Sequence, residues 1–251
     1  MERINYQGDL IPNFYVLKEL QKNHLLSVPF ENLDIHYGIP IELEVAKFYK
    51  KIVNEKRGGF CYEMNGLFQS LLNKLGFESK IVSARVYDNK KENFGEEYDH
   101  LAIIVEVNHV EYLVDVGFGE FAFHPLKLET NEIQEDPRGN FIIEKTNDVY
   151  KVSKIMEEGK TIEYRFTNKE RALHEFKAMC KLHQTSPDSH FTQKKLISKP
   201  TANGRITITE NTLKITENGI VKKTIEFRED EFAEQLQKWF QIDELKINAG
   251  H

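Results

Sequence analysis

The spacing of apolar residues changes near residue 80, and that change limits the chain to folds in which helices and strands occupy separate stretches. Before it, Met64, Leu67, Phe68, Leu71, Leu72 and Leu75 step by three and four, the period of a helix with one buried stripe. Gly76 follows as a stop, and Gly58-Gly59 precede the helix as flexible backbone. After the change, Lys80–Tyr87, Leu101–Val107, Tyr112–Val116, Phe141–Glu144 and Val149–Val152 read as consecutive strands of an antiparallel sheet or small barrel. Polar clusters at Lys90-Lys91-Glu92-Asn93 and Asp136-Pro137-Arg138-Gly139-Asn140 supply turns between them. From about residue 200, Arg205–Thr209, Thr212–Thr216 and Ile220–Phe227 predict a meander with a turn at Asn218-Gly219. A last helix carries Phe232, Leu236, Trp239 and Phe240 on one face. The expected class is α+β.

A chain of 251 residues can bury a sizeable core, and a net charge of −6 offers no broad basic surface for nucleic acid or an anionic membrane. The N-terminus, Met1-Glu2-Arg3-Ile4-Asn5-Tyr6, has no secretory pattern, and no run is long enough to span a bilayer. We therefore expect a cytoplasmic protein. Cys61 and Cys180 are too few for a disulfide framework, so each is packing filler or a reactive thiol.

Cys61 closes the segment Arg57-Gly58-Gly59-Phe60 and opens the amphipathic helix. A helix N-terminus carries partial positive charge, which lowers the pKa of a thiol placed there, and Arg57 is positioned to add to that field. The competing reading is a small buried residue, the common fate of a free cysteine. A thiolate needs a partner whose charge changes near neutral pH, and His100 stands out because it directly precedes the apolar run Leu101-Ala102-Ile103-Ile104-Val105. His109 reads as a turn residue, and His24, His36, His174, His183, His190 and His251 have no comparable setting.

Asn108-His109 reads as the tip of a hairpin. With a two-residue turn, Val107 pairs with Val110, His100 falls opposite Gly117 and Ala102 opposite Asp115. His100 and Asp115 are then diagonal neighbours on one face, roughly 7–8 Å apart at Cα. Asp115 sits in the apolar run Tyr112-Leu113-Val114-Asp115-Val116, where an ionised carboxylate is costly unless paired. It either holds the His100 ring, as the third member of a triad does, or caps the turn Gly117-Phe118-Gly119.

These segments resemble the arylamine N-acetyltransferases. The resemblance rests on Arg57-Gly58-Gly59-Phe60-Cys61-Tyr62-Glu63-Met64-Asn65, on His100, and on Asp115-Val116-Gly117-Phe118-Gly119. Val28-Pro29-Phe30-Glu31-Asn32-Leu33-Asp34 and Thr185-Ser186-Pro187-Asp188-Ser189 with Phe191 extend it over nearly the whole chain. It implies an N-terminal helical bundle (1–82) with a catalytic Cys61, a central antiparallel β-barrel (83–190) with His100 and Asp115, and a C-terminal α/β lid (191–251), related to papain-like and transglutaminase-like cysteine enzymes.

The implied activity is ping-pong transfer of acetyl from acetyl-coenzyme A to an aromatic amine or hydrazine, with no metal ion. Phe30, Phe118 and Gly117 would line the acceptor pocket, and Glu31 would pair with Arg57 to brace the loop before Cys61. Taken singly, such phenylalanines are more often core filler and such a pair more often a surface one. Lys194, Lys195 and Lys199 are candidates by position for the coenzyme's phosphates. Water as acceptor would make the same triad a thioesterase or protease-like hydrolase, and related family members build macrocyclic amides. A non-catalytic binding module and the oligomeric state also stay open.

Overall fold

Asn13 opens the first long helix by accepting the Val16 N–H on its side chain at 2.9 Å, an N-cap that satisfies one of the free donors of a first turn. The structure, a computed structural model, describes residues 1–128, 131–244 and 247. The helical part contains α1 (Phe14–Ser27), β1 (Phe30–Glu31), α2 (Leu33–His36), α3 (Val45–Tyr49) and α4 (Cys61–Lys74), with a π-helical turn at Lys50–Asn54. Strands follow: β2 (Glu78–Asp88), β3 (Asn93–Phe94), β4 (His100–Val107), β5 (Val110–Val114), β6 (Leu126–Lys127), β7 (Ile133–Asp136), β8 (Gly139–Thr146), β9 (Val149–Met156) and β10 (Gly159–Arg171). Two short helices, α5 (Lys177–Thr185) and α6 (His190–Gln193), precede β11 (Leu196–Thr201), β12 (Gly204–Thr209), β13 (Thr212–Glu217), β14 (Ile220–Glu226) and α7 (Phe232–Phe240).

The large sheet runs β6-β5-β4-β2-β10-β9-β8-β7, with β3 beside β2. Its edges are bridged by side chains of β7. Gln134 on β7 accepts the Lys127 N–H at 2.7 Å and donates to the Lys127 carbonyl at 2.9 Å, so the antiparallel sheet is nearly closed into a barrel. Strand β4 explains its own unbroken apolar run, because both its faces are covered. Leu101, Ile103 and Val105 pack with Leu20, Phe68 and Leu72 of the helices, while Ala102 and Ile104 pack inside the barrel with Leu113, Phe141 and Tyr164. A third cluster joins Leu33, Ile197, Ile208, Leu213, Phe232, Leu236 and Phe240 around the second sheet, ordered β1-β11-β12-β13-β14. The class is α+β, as expected.

Several boundaries differ from the sequence reading. The first barrel strand begins at Glu78, inside the stretch expected to be helical, because Gly76 at φ +89 ends α4 and lets the chain reverse at once. Strand β1 lies in that same stretch yet pairs Phe30 with Ser198 and Glu31 with Ile197 in the C-terminal sheet. The segment expected to belong to the barrel instead closes with α5, and Phe176 and Cys180 pack in the cluster of the N-terminal helices. Strand β5 stops at Val114 rather than Val116, since Asp115 uses its side chain on the following turn. Among the described residues no helix is long and apolar enough to cross a membrane.

Gly58 and Gly59 let the loop before α4 lie against β1. Glu31 N–H donates to the Gly59 carbonyl at 3.0 Å and Gly59 N–H to the Pro29 carbonyl at 3.3 Å. A Cβ on Gly58 would stand 2.2 Å from the Pro29 oxygen and 2.8 Å from Glu31 Cγ. Gly58→Ala is therefore expected to destabilise the protein by about 1–3 kcal/mol in thermal denaturation. Gly119→Ala, where a Cβ meets nothing within 4 Å, serves as the control and leaves the midpoint unchanged.

Candidate active site

Cys61 is the first residue of α4, and its position is fixed from below. Glu63 accepts the Phe60 N–H at 2.8 Å, capping the helix, and its carboxylate also meets Lys51 Nζ at 2.8 Å. Lys51, turned inward by the π-helical turn, also pairs with Asp34 at 2.7 Å, and Arg57 pairs with Glu31 at 2.8 Å. All five charges are buried, so the Glu31–Arg57 pair is internal rather than the surface pair that base rates favour. Burial would raise Asp34, but the charges of Lys51 and Arg57 hold it below the usual range. Burial raises Glu63 despite Lys51.

This arrangement corrects one expectation. Arg57 is paired with Glu31 and Asp34, and the Cys61 thiol is pushed up by burial, with Cys180, Asp115 and Asp99 adding to the effect and the Tyr62 N–H opposing it. The helix end alone does not make a thiolate.

The hairpin has the anticipated register: Val107 pairs with Val110 and Ile103 with Val114. Asn108 at φ 51 and His109 at φ 62 form the two-residue turn that this register needs. His100 Nε2 lies 2.7 Å from Asp115 Oδ2. Both readings of Asp115 hold together. Oδ2 meets the His100 ring and accepts the Tyr164 hydroxyl at 3.1 Å, while Oδ1 caps the turn by accepting Gly117 N–H at 2.9 Å and Phe118 N–H at 3.0 Å, and takes Asn65 Nδ2 at 2.9 Å. Burial would raise Asp115, yet the His100 charge and the hydrogen bonds from His100, Asn65 and Gly117 outweigh it and hold the carboxyl below its ordinary value.

Cys61, His100, Gly117, Phe118 and Phe30 all line one open cavity of about 750 Å³. Phe118 stands edge-on to the His100 ring at 5.2 Å, and Phe30 lies 5.6 Å from Phe60. Gly117 is required by packing, since a Cβ there would sit 2.9 Å from Cys61 Cα and 2.8 Å from Asn65 Nδ2. Lys194, Lys195 and Lys199 do not line this cavity, and Lys195 lies over the Phe232 ring and pairs with Glu229. Its lysines and arginine are Lys90, Lys91 and Arg205.

A profile of N-acetyltransferases matches residues 13–248. Among relatives, the pineal gland isozyme NAT-3 of arylamine N-acetyltransferase from Gallus gallus is 33% identical over 222 residues, 80% of this chain and 77% of the relative. Arylamine N-acetyltransferase 1 of Homo sapiens is 29% identical over 224 residues, 81% of this chain and 77% of the relative. The chain belongs to the arylamine N-acetyltransferase family. The solved arylamine N-acetyltransferase of M. tuberculosis matches with a TM-score of 0.90 at 28% identity, covering 98% of this chain and 93% of that one. That of Mycobacterium marinum, solved in complex with CoA, gives 0.89 at 26% identity, covering 98% and 92%.

Within this member of the family, three residues of the site escaped the sequence reading. Asn65 lies one turn after Cys61 and joins Asp115, the Leu101 carbonyl and the Val116 N–H, each within 2.9 Å. Its signal was a polar residue at a fully buried helical position. Tyr164 sits on β10, a strand that the alternation Ile162, Tyr164, Phe166 could have revealed. His183, given no setting above, pairs with Asp99 at 3.2 Å. His251 lies outside the described residues.

Asp115 carries a lowered folded pKa, so its ionised form stabilises the protein above the unfolded value near 3.9, and that stability is lost as pH falls through the folded value. Asp115→Asn should therefore lower the thermal midpoint at pH 7, with the gap to the parent protein narrowing below about pH 4. A gap that widens on acidification would contradict the assignment.

Proposed function

We propose that the chain transfers an acetyl group from acetyl-coenzyme A to an aromatic amine or hydrazine through a thioester on Cys61. The observation that supports this most is one cavity holding a buried thiol, a histidine clamped by a buried carboxylate, and aromatic walls. Left to burial, Cys61 would stay a thiol at neutral pH. In our reading, His100 takes its proton, and Asp115 stabilises the imidazolium that results. The thiolate attacks the thioester carbon. The carbonyl oxygen becomes an oxyanion, and first-turn N–H groups of α4, which have no helical acceptor, are placed to receive it. The C–S bond to coenzyme A breaks, and His100 returns the proton to the leaving sulfur.

In the second half, the amine attacks acetyl-Cys61, the N–H proton is lost, and the thiol is regenerated. Phe30 and Phe118 offer faces for an aromatic acceptor. On a net acidic protein the phosphates of the coenzyme need local donors, a role that suits Lys90, Lys91 and Arg205.

Initial rates measured with both substrates varied should give parallel double-reciprocal lines, and Cys61→Ala should lose on the order of 10³-fold or more. Intersecting lines or retained activity would refute the scheme. Alkylation by iodoacetamide at pH 7 provides a second check, with Cys180, whose thiol burial pushes up to about 12, as internal reference. Cys61 should react faster than Cys180, and His100→Ala should slow Cys61 by about tenfold or more.

A further inference from the structure

His183 has no part in the steps above, yet it too stands beside a carboxylate inside the same cavity. It lies on α5, and its Nε2 stands 3.2 Å from Asp99 Oδ1 and 3.3 Å from the Asp99 carbonyl oxygen. A carbonyl oxygen can only accept, so Nε2 carries the hydrogen. In the neutral ring the lone pair is then on Nδ1. Nδ1 has no hydrogen-bond partner among the described residues.

The ring is held on several sides. Tyr62 stacks on it at 6.2 Å, and Phe60 and Phe191 meet it edge-on at 6.0 and 5.3 Å. Phe60 and Tyr62 flank Cys61, and Asp99 precedes His100, so the carboxylate beside His183 and two of the rings that hold it adjoin Cys61 and His100 in sequence. A basic nitrogen without a partner in a largely apolar cavity is a place for a donor to fill. Of the two substrates, the acceptor is the one that arrives with N–H donors at its reacting atom. It must also shed a proton as its nitrogen bonds to carbon.

We propose that His183 is the base for the attacking amine in the second half-reaction, with Asp99 as the positioning residue that fixes its tautomer. The assignment rests on the acetyl-Cys61 reading. The amine nitrogen bonds to the acetyl carbon, an N–H bond breaks, and the proton goes to His183 Nδ1, leaving an imidazolium held by Asp99. The C–S bond breaks with its electron pair on Cys61. His183 then releases its proton to solvent through the open cavity, and Cys61 takes one up by way of His100 to restore the thiol. The acceptors that gain are primary arylamines and hydrazines, whose reacting nitrogen can give one hydrogen to His183 and keep another.

The two half-reactions can be timed apart. In the first, each protein is mixed with acetyl-coenzyme A without amine and release of free coenzyme A is followed. In the second, the isolated acetyl-protein is mixed with a primary arylamine or a hydrazine. His183→Phe keeps the ring packing and removes the base, and His183→Gln provides a second variant should the first not fold. We expect first-half rates within about twofold of the parent protein and second-half rates lower by about 10²-fold. Equal slowing of both halves would reveal a packing role only and overturn the assignment, as would an unchanged second half. A parent protein that releases no coenzyme A in the first mixing would instead overturn the acetyl-Cys61 reading beneath it.

Discussion

A single carboxylate, fully buried, sets the terms for the rest of this structure. Asp115 cannot lie ionised in an apolar interior without partners, and it draws them from four places: His100 on β4, Asn65 on α4, the N–H groups of Gly117 and Phe118, and Tyr164 on β10. Each bond ties a different element to the same point. The helix that begins with Cys61, the hairpin that begins with His100 and the far side of the barrel are thus brought into one register, and the cavity lies at their junction. The same hydrogen bonds that stabilise the fold also orient the imidazole.

A second buried polar group does comparable work beneath the thiol. Glu31, Asp34 and Glu63 face Lys51 and Arg57, and through them β1, α2, the π-helical turn and the start of α4 are joined. Removing one partner of such a cluster strands an uncompensated charge, so the cluster behaves as a unit. Close backbone contact at Gly58 and Gly59 completes the support. Its effect on Cys61 is positional. The positive charges are used internally and burial raises the thiol, so in the proposed scheme the imidazole is the group that offsets that burial.

Local features carried much of this into the sequence. The two-residue turn at Asn108-His109 defined the β4–β5 register, and with it the approach of His100 to Asp115, because side-chain parity in a hairpin depends only on the turn length. The stripe from Met64 to Leu75 and the meander after residue 200 were legible for the same reason: each is periodic over its own short span. Contacts between distant segments were not, apart from the Glu31–Arg57 pair that the family resemblance implied. Lys51 reads as one cation in a polar stretch until Asp34, Glu63 and the π-helical turn surround it, and the pairing of β1 with β11 joins Phe30 to Ser198 across most of the chain. His183 belongs to this group too, since its carboxylate partner is 84 positions away. The tension between a helix end that lowers a thiol pKa and burial that raises it needs coordinates to resolve.

The central claim is that the sulfur of Cys61 carries the acetyl group between donor and acceptor. Intact-mass measurement after mixing the protein with acetyl-coenzyme A in the absence of amine, followed by peptide mapping, tests this most directly. A gain of one acetyl group on the peptide containing Cys61 is expected, and its loss when an arylamine is added. An unmodified Cys61, or an acetyl group that stays in place with amine present while product accumulates, would contradict it.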